Sequence, residues 1–184
     1  MPTPHVAVCF APGFEEIEAI TIVDVLRRGG VLVTMASIED EEWVMGAHDI
    51  PVRVDAWLAN LDPADFAMVV LPGGMPGSEH LKNSDLVQGF VRSVWDQGGH
   101  ACAICAAPIA LHAAGLLEER QATSYPGVAE QLSGVLYLED DVVCDTRLVT
   151  SRGPGTALAF SLRLLEELGL ADQAAKLREG MLAK

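Results

Sequence analysis

The chain has 184 residues and a formal charge of −14, from 12 Lys and Arg against 26 Asp and Glu. Half of its residues are hydrophobic and 21% are charged, which excludes a disordered chain and fits one domain spanning residues 1–184. So acidic a surface repels phosphate backbones and anionic lipid, so neither nucleic acid nor membrane is an expected partner.

No apolar run reaches the ~18–20 residues of a membrane span. The start, Met1-Pro-Thr-Pro-His5, lacks the basic stretch and small-residue cleavage site of a secretory signal, so a cytoplasmic location is expected.

Residues 5–10 form a short apolar run ended by Ala11-Pro12-Gly13, a buried strand and a turn. From Phe14 to Arg28 the spacing is helical, and Gly29-Gly30 closes that helix. Val31–Ser37 is a second strand, and Trp43–Met45 with Ile50–Asp55 read as a projecting strand pair. Phe66–Leu71 is a third core strand, cut off by Pro72-Gly73-Gly74. A helix from about Ser84 to Gln97 follows, then a strand at Ala101–Ile104, a corner at Cys105 and a helix over Ala106–Ala114. Short strands at Leu136–Leu138, Val142–Cys144 and Leu148–Thr150 precede the turn Ser151–Gly155, and Ala157–Leu168 and Ala171–Leu182 are closing helices.

Strands alternating with helices predict an α/β domain with a mainly parallel sheet covered on both faces. Sites in such sheets lie beyond the carboxyl ends of the strands. That rule selects the loops Pro12–Glu18, Pro72–Gly77, Cys105–Pro108 and Ser151–Thr156. The last of these places Arg152 and Gly153 at the edge of the cleft.

Four cysteines (Cys9, Cys102, Cys105, Cys144) are too few for a disulfide scaffold. Cys105 stands where a strand meets a helix, and the free N–H groups of a first helical turn stabilise a thiolate below its usual ~8.5. The same groups can bind a developing oxyanion, as at a nucleophile elbow. The alternative is one more buried small hydrophobe. Cys102 completes Cys-x-x-Cys but is expected to point away from Cys105 on an extended strand. With no second such pair and no His pair at ligand spacing, no metal site is expected. Cys9 and Cys144 read as core thiols.

Glu18 is placed beyond the first helical turn, on the face of Phe14, Ile22 and Val25. Desolvation there raises a carboxyl pKa, and a protonated Glu18 could donate to the Cys105 thiolate and relay its proton. A surface or interface glutamate is the alternative. Gly73 and Gly74 let backbone N–H groups approach a ligand. No Gly-x-Gly-x-x-Gly or Walker sequence marks a nucleotide, and no cofactor is expected.

The segments Ala11-Pro-Gly-Phe-Glu-Glu-Ile-Glu18, Val70-Leu-Pro-Gly-Gly74, Ala103-Ile-Cys-Ala-Ala-Pro108 and Thr150-Ser-Arg-Gly-Pro-Gly-Thr156, in this order, resemble the ThiJ/PfpI superfamily. Within it the chain is most similar to the branch that contains the parkinsonism-associated deglycase. The resemblance implies a flavodoxin-like three-layer sandwich that usually dimerises. It also implies that Cys105 is the nucleophile at an elbow, that Glu18 is its hydrogen-bond partner, and that the backbone at Gly74 and Ala106 is the oxyanion site. Members are described as glyoxalases converting methylglyoxal to lactate, as deglycases of early glycation adducts, and as oxidative-stress chaperones whose cysteine is oxidised to sulfinate.

Two departures stand out. Where some relatives carry a His near the cysteine, this chain has Tyr125, a poor general base at neutral pH that can still donate a hydrogen bond. Proton traffic then falls to Glu18. The residue after the nucleophile is Ala106, where the peptidase-like branch has His, which removes a local Cys–His amidase pair. His48 lies near a position where relatives carry a pocket Arg, so it is peripheral. The leading expectation is therefore a cysteine enzyme acting on small 2-oxoaldehydes or their adducts. A redox-sensing chaperone and a Cys-dependent amide hydrolase are the alternatives.

Overall fold

A computed structural model describes residues 3–183. In chain order the elements are β1 (His5–Phe10), α1 (Glu16–Arg28), β2 (Leu32–Ser37), β3 (Trp43–Met45), β4 (Pro51–Arg53) and β5 (Ala56–Trp57). There follow β6 (Met68–Leu71), α2 (Gly77–Asn83), α3 (Asp85–Asp96), β7 (His100–Ile104), α4 (Pro108–Ala113), β8 (Gln121–Ala122) and β9 (Leu136–Tyr137). The chain closes with β10 (Val142–Asp145), β11 (Leu148–Ser151), α5 (Ala157–Glu167) and α6 (Ala171–Gly180).

Seven strands form the main sheet in the order β10-β11-β7-β6-β1-β2-β5. Every pairing in it is parallel except β10 with β11. The central strands are mostly apolar because helices cover the sheet on both sides. Val6 to Phe10, Met68 to Leu71 and Ala101 to Ile104 are all fully buried. Helix α1 packs against α5, which also carries α6, while α2, α3 and α4 pack together on β6 and β7. This is the flavodoxin-like three-layer sandwich. The β3–β4 hairpin projects as a separate antiparallel pair and touches the main body through a bridge between Phe14 and Gly46.

The element boundaries move where backbone chemistry overrides periodicity. Helix α1 starts at Glu16 because the Glu15 carboxylate caps it, accepting from Glu18 N at 2.7 Å. Glu18 is therefore in the first helical turn, not beyond it. Phe66 closes a short 3₁₀ turn over Pro63–Asp65, so β6 begins at Met68. Helix α4 begins at Pro108, whose missing N–H and fixed φ suit a first turn. Helix α2 was not predicted, since Leu81 is its one large apolar residue and leaves no repeat to read. The predicted strand at Leu136–Leu138 is β9, whereas the two-residue strands β5 and β8 are too short for any period. Among the described residues no helix is long and apolar enough to cross a membrane.

Phe160 on α5 is fully buried in this core. Truncating it to alanine should destabilise the fold by about 3–5 kcal/mol. Urea unfolding of Phe160→Ala against wild type measures this, and a loss below 1 kcal/mol would show that the α5 layer repacks freely.

Candidate active site

The carboxyl ends of β11, β7, β6 and β1 are adjacent, so the four loops chosen from sequence meet in one place. Hydrogen bonds lace them together. Glu15 N donates to Gly73 O at 2.9 Å and Gly77 N to Gly13 O at 3.3 Å, joining the β1 and β6 loops. Cys105 N donates to Ser151 O at 2.9 Å, joining the β7 and β11 loops, and Tyr125 N donates to Cys105 O at 2.8 Å.

Cys105 holds a φ of 63°, in the left-handed region that a residue with a Cβ rarely adopts. Such strain persists only where the surroundings enforce it, and here it turns the chain sharply from β7 toward α4. The residue is 9% exposed. The backbone N–H groups of Gly74 and Ala106 face its sulfur and favour the thiolate. Gly73 is packed so closely that a Cβ there would lie 2.5 Å from Cys105 Cβ and 2.6 Å from Glu18 Oε2. Only glycine lets the β6 loop pass between nucleophile and carboxyl.

Glu18 is completely buried. Its Oε2 accepts from Gly73 N at 2.8 Å. Its Oε1 is sealed from solvent with no hydrogen-bond partner. Burial pushes the carboxyl from 4.5 up to about 7, against the lowering effect of its contacts with Cys105 and Gly73 N–H. The Cys105 thiol is pushed up to about 12, first by burial and then by the charge and hydrogen bond of ionised Glu18. The expected low-pKa thiol is thus not what burial beside an ionised Glu18 produces. A proton on the Glu18 carboxyl removes its charge from beside the thiol and lets the carboxyl donate toward the sulfur. Their titration therefore belongs to the pair, which holds two protons below about pH 7 and one above it.

The remaining predicted residues divide. Gly74 and Ala106 present N–H groups to the sulfur. Gly73 does not join them, because its N–H is committed to Glu18. Tyr125 is held beside the nucleophile by its backbone, but the residue is 51% exposed and among the described residues no hydrogen bond joins its hydroxyl to Cys105 or Glu18. With Asp141, Arg152, Gly153 and Pro154 it lines a recess of about 390 Å³. Arg152 is tethered there to Glu139 O at 2.8 Å, and Gly153 N donates to Thr156 Oγ1 at 3.1 Å. His48 sits apart, bonded to Glu16.

Among the other cysteines, Cys9 and Cys102 are fully buried, with thiols pushed up by burial. Cys102 lies near Cys144 and Glu167. Cys144 is half-buried on edge strand β10 beside Arg163, so it is not a core thiol. Sequence reasoning missed Glu15, whose cap orients the first turn of α1. The helix predicted from Phe14 put Glu15 inside its first turn, whereas the residue caps a helix that starts at Glu16.

The profile of the DJ-1/PfpI family matches residues 4–167. Protein dj-1beta of Drosophila melanogaster is 42% identical over 177 residues, 95% of this chain and 95% of that protein. Its crystal structure superposes with a TM-score of 0.95 at 40% identity, covering 99% of both chains. Glutathione-independent glyoxalase DJR-1.2 of Caenorhabditis elegans is 37% identical over 84% of this chain and 82% of its own. The structure of oxidized Toxoplasma gondii DJ-1 has a TM-score of 0.94 at 35% identity, covering 98% of each chain.

The raised Glu18 carboxyl carries a sign for stability. The unfolded chain gives up this proton first, so the folded state is favoured below pH 4.5 and loses that advantage as pH rises to about 7. The loss is on the order of 2–3 kcal/mol, one pKa unit being about 1.4 kcal/mol. Glu18→Gln lacks this titration. Urea unfolding at pH 5 and pH 8, in buffer containing a chelator, should show wild type losing more stability than the variant by that amount. Equal losses would contradict the burial argument.

Proposed function

The chain belongs to the DJ-1/PfpI family, and on that premise we propose that it converts small 2-oxoaldehydes to 2-hydroxy acids through Cys105. The observation that carries this reading is the strained Cys105 corner, with the Gly74 and Ala106 N–H groups on the sulfur and the buried Glu18 carboxyl behind it. The glyoxalase relative in Caenorhabditis elegans supports the same chemistry.

With methylglyoxal, Sγ attacks the aldehyde carbon while the proton shared with Glu18 stays on Oε1. The aldehyde oxygen becomes an alkoxide held by the N–H groups of Gly74 and Ala106. Glu18 then gives its proton to that oxygen, forming a hemithioacetal. Its carboxylate carries the C1 hydrogen to C2 as a proton while the hydroxyl proton passes from the C1 oxygen to the C2 oxygen, oxidising C1 and reducing C2 within the substrate. The product is a lactoyl thioester, and water hydrolyses it to lactate and restores the thiol. Early glycation adducts of the same aldehydes would enter through the same sulfur. Tyr125 lines the approach and does not move the proton.

A second reading, peroxide sensing, is favoured by the oxidised state named for the Toxoplasma gondii relative. Two hydrogen peroxides would convert the Cys105 thiol to sulfinate with release of two waters. An amide hydrolase has no support, because among the described residues no histidine hydrogen-bonds to Cys105. His5, His48, His80 and His112 bond elsewhere, and His100 lies against Glu167.

The proposal extends to a homodimer. Ile17 and Ile20 of α1 are 60% and 42% exposed, and Met45 and Ile50 of the neighbouring hairpin add 47% and 54%. These side chains form an apolar face that a second copy would cover.

Purified wild type should form lactate from methylglyoxal, and Cys105→Ser should abolish it. Glu18→Gln should lower kcat by about 10²–10⁴. Wild-type turnover no greater than that of Cys105→Ser would refute the enzyme reading. Sulfinate forming on Cys105 alone under mild peroxide would then favour the sensor. Light scattering at micromolar concentration should give the dimer mass for wild type and the monomer mass for Ile17→Glu. A monomeric wild type would refute the assembly.

A further inference from the structure

Glu15 moves no proton in the chemistry above, yet its backbone and its side chain both bond to the groups that surround Cys105. It is the N-cap of α1, and Glu18 is the third residue of that helix. An acid at this spacing ordinarily completes a capping box. The cap side chain accepts from the N–H of the third residue, and the acid folds back to accept from the N–H of the cap. Only the first half of that box is present here, with Glu15 Oε2 accepting from Glu18 N at 2.7 Å.

Gly73 occupies the second half. Glu15 N donates to Gly73 O at 2.9 Å, and Gly73 N donates to Glu18 Oε2 at 2.8 Å. The three residues thus close a ring of hydrogen bonds, with Gly73 inserted where the box would otherwise shut on itself. Opened in this way, the Glu18 side chain is kept off its own helix end and carried across to Cys105.

Burial protects the ring. Glu15 is 8% exposed and Glu18 is completely buried, so water does not compete for these bonds. Gly74, whose N–H faces the sulfur, packs against the same residue, since a Cβ on Gly74 would lie 2.4 Å from Glu15 N. Glu15 therefore meets both the loop that donates to the sulfur and the helical turn that holds the proton carrier. The titratable groups that act on Glu18 are Cys105, from the β7 corner, and Glu15, from its own helix.

We propose that Glu15 is a positioning residue for the 2-oxoaldehyde reaction, a role that rests on that reading of the site. Its carboxylate holds the first turn of α1 so that the Glu18 carboxyl meets Cys105 and not its own helix end. Glu15 acts through Glu18 and Gly73 and is not itself a catalytic residue. Without its acceptor the ring opens at Glu18 N, and the Glu18 side chain is free to fold back toward the helix. A displacement of about 1 Å in a reacting group costs about a hundredfold in rate.

Kinetics with methylglyoxal, below the Glu18 midpoint, should show Glu15→Ala lowering kcat by about tenfold to a hundredfold with KM little changed. Glu15→Met fills the same space without an acceptor and should match it, which covers the case in which alanine unsettles the fold. Glu15→Gln keeps an acceptor oxygen at the same reach and should restore most of the turnover. The Gly73 amide proton reports the ring directly by NMR. In wild type and Glu15→Gln its resonance should follow the Glu18 titration, because its acceptor changes charge. In Glu15→Met it should shift and cease to follow. An unchanged kcat in Glu15→Met, a Glu15→Gln as impaired as Glu15→Met, or a Gly73 amide that titrates in Glu15→Met as in wild type would each overturn the proposal. A wild type no faster than Cys105→Ser would sink the functional reading alone, and the Gly73 amide would then decide whether Glu15 places Glu18.

Discussion

The bond from Gly73 N–H to Glu18 Oε2, 2.8 Å long and closed to water, ties the first strand's loop to the third core strand's loop at the point where the nucleophile turns. It satisfies one carboxyl oxygen and leaves the other sealed from solvent with no partner of its own, while the carboxyl group lies against Cys105. A buried carboxylate with one bare oxygen is costly, and a buried thiolate beside it would be worse. One proton on the pair resolves both problems. The need for that proton explains why Glu18 is raised toward neutrality although the helix N-terminus around it favours negative charge.

The rest of the fold serves this arrangement. Parallel strands bring four loops to one end of the sheet, and their backbone groups bond to one another before any side chain acts. Gly73 is tolerated in the narrow gap between Cys105 and Glu18 because it has no Cβ to place there. Gly74, with φ at +94°, turns its N–H toward the sulfur. The helix after Cys105 adds the Ala106 N–H. Nucleophile, thiolate donors and proton carrier thus come from three strand ends held by main-chain geometry, which side-chain substitution elsewhere does not easily disturb.

How much of this could be read from the chain itself varies with the physics involved. Apolar runs five or six residues long, cut by Gly and Pro, mark β1, β2 and β7 because a sheet covered on both faces must be apolar throughout. The corner at Cys105 is visible because strand and helix signals abut there. Glu18 stands out as an acid on an apolar helical face, yet its position in the first turn depends on the Glu15 cap, a side-chain bond that periodicity does not report. Gly73 and Gly74 look alike in sequence. Their division of labour, one N–H to Glu18 and the other to the sulfur, follows from loop geometry alone. The pairing of His48 with Glu16 is a contact between distant segments, and no local pattern announces it.

The central claim is that burial lets Glu18 keep a proton near neutrality and share it with Cys105. The most direct measurement is an NMR titration of the Glu18 side-chain carboxyl carbon in selectively labelled protein, in buffer containing a chelator. The account predicts a midpoint near 7. A midpoint in the ordinary carboxylate range, near 4.3, would contradict it.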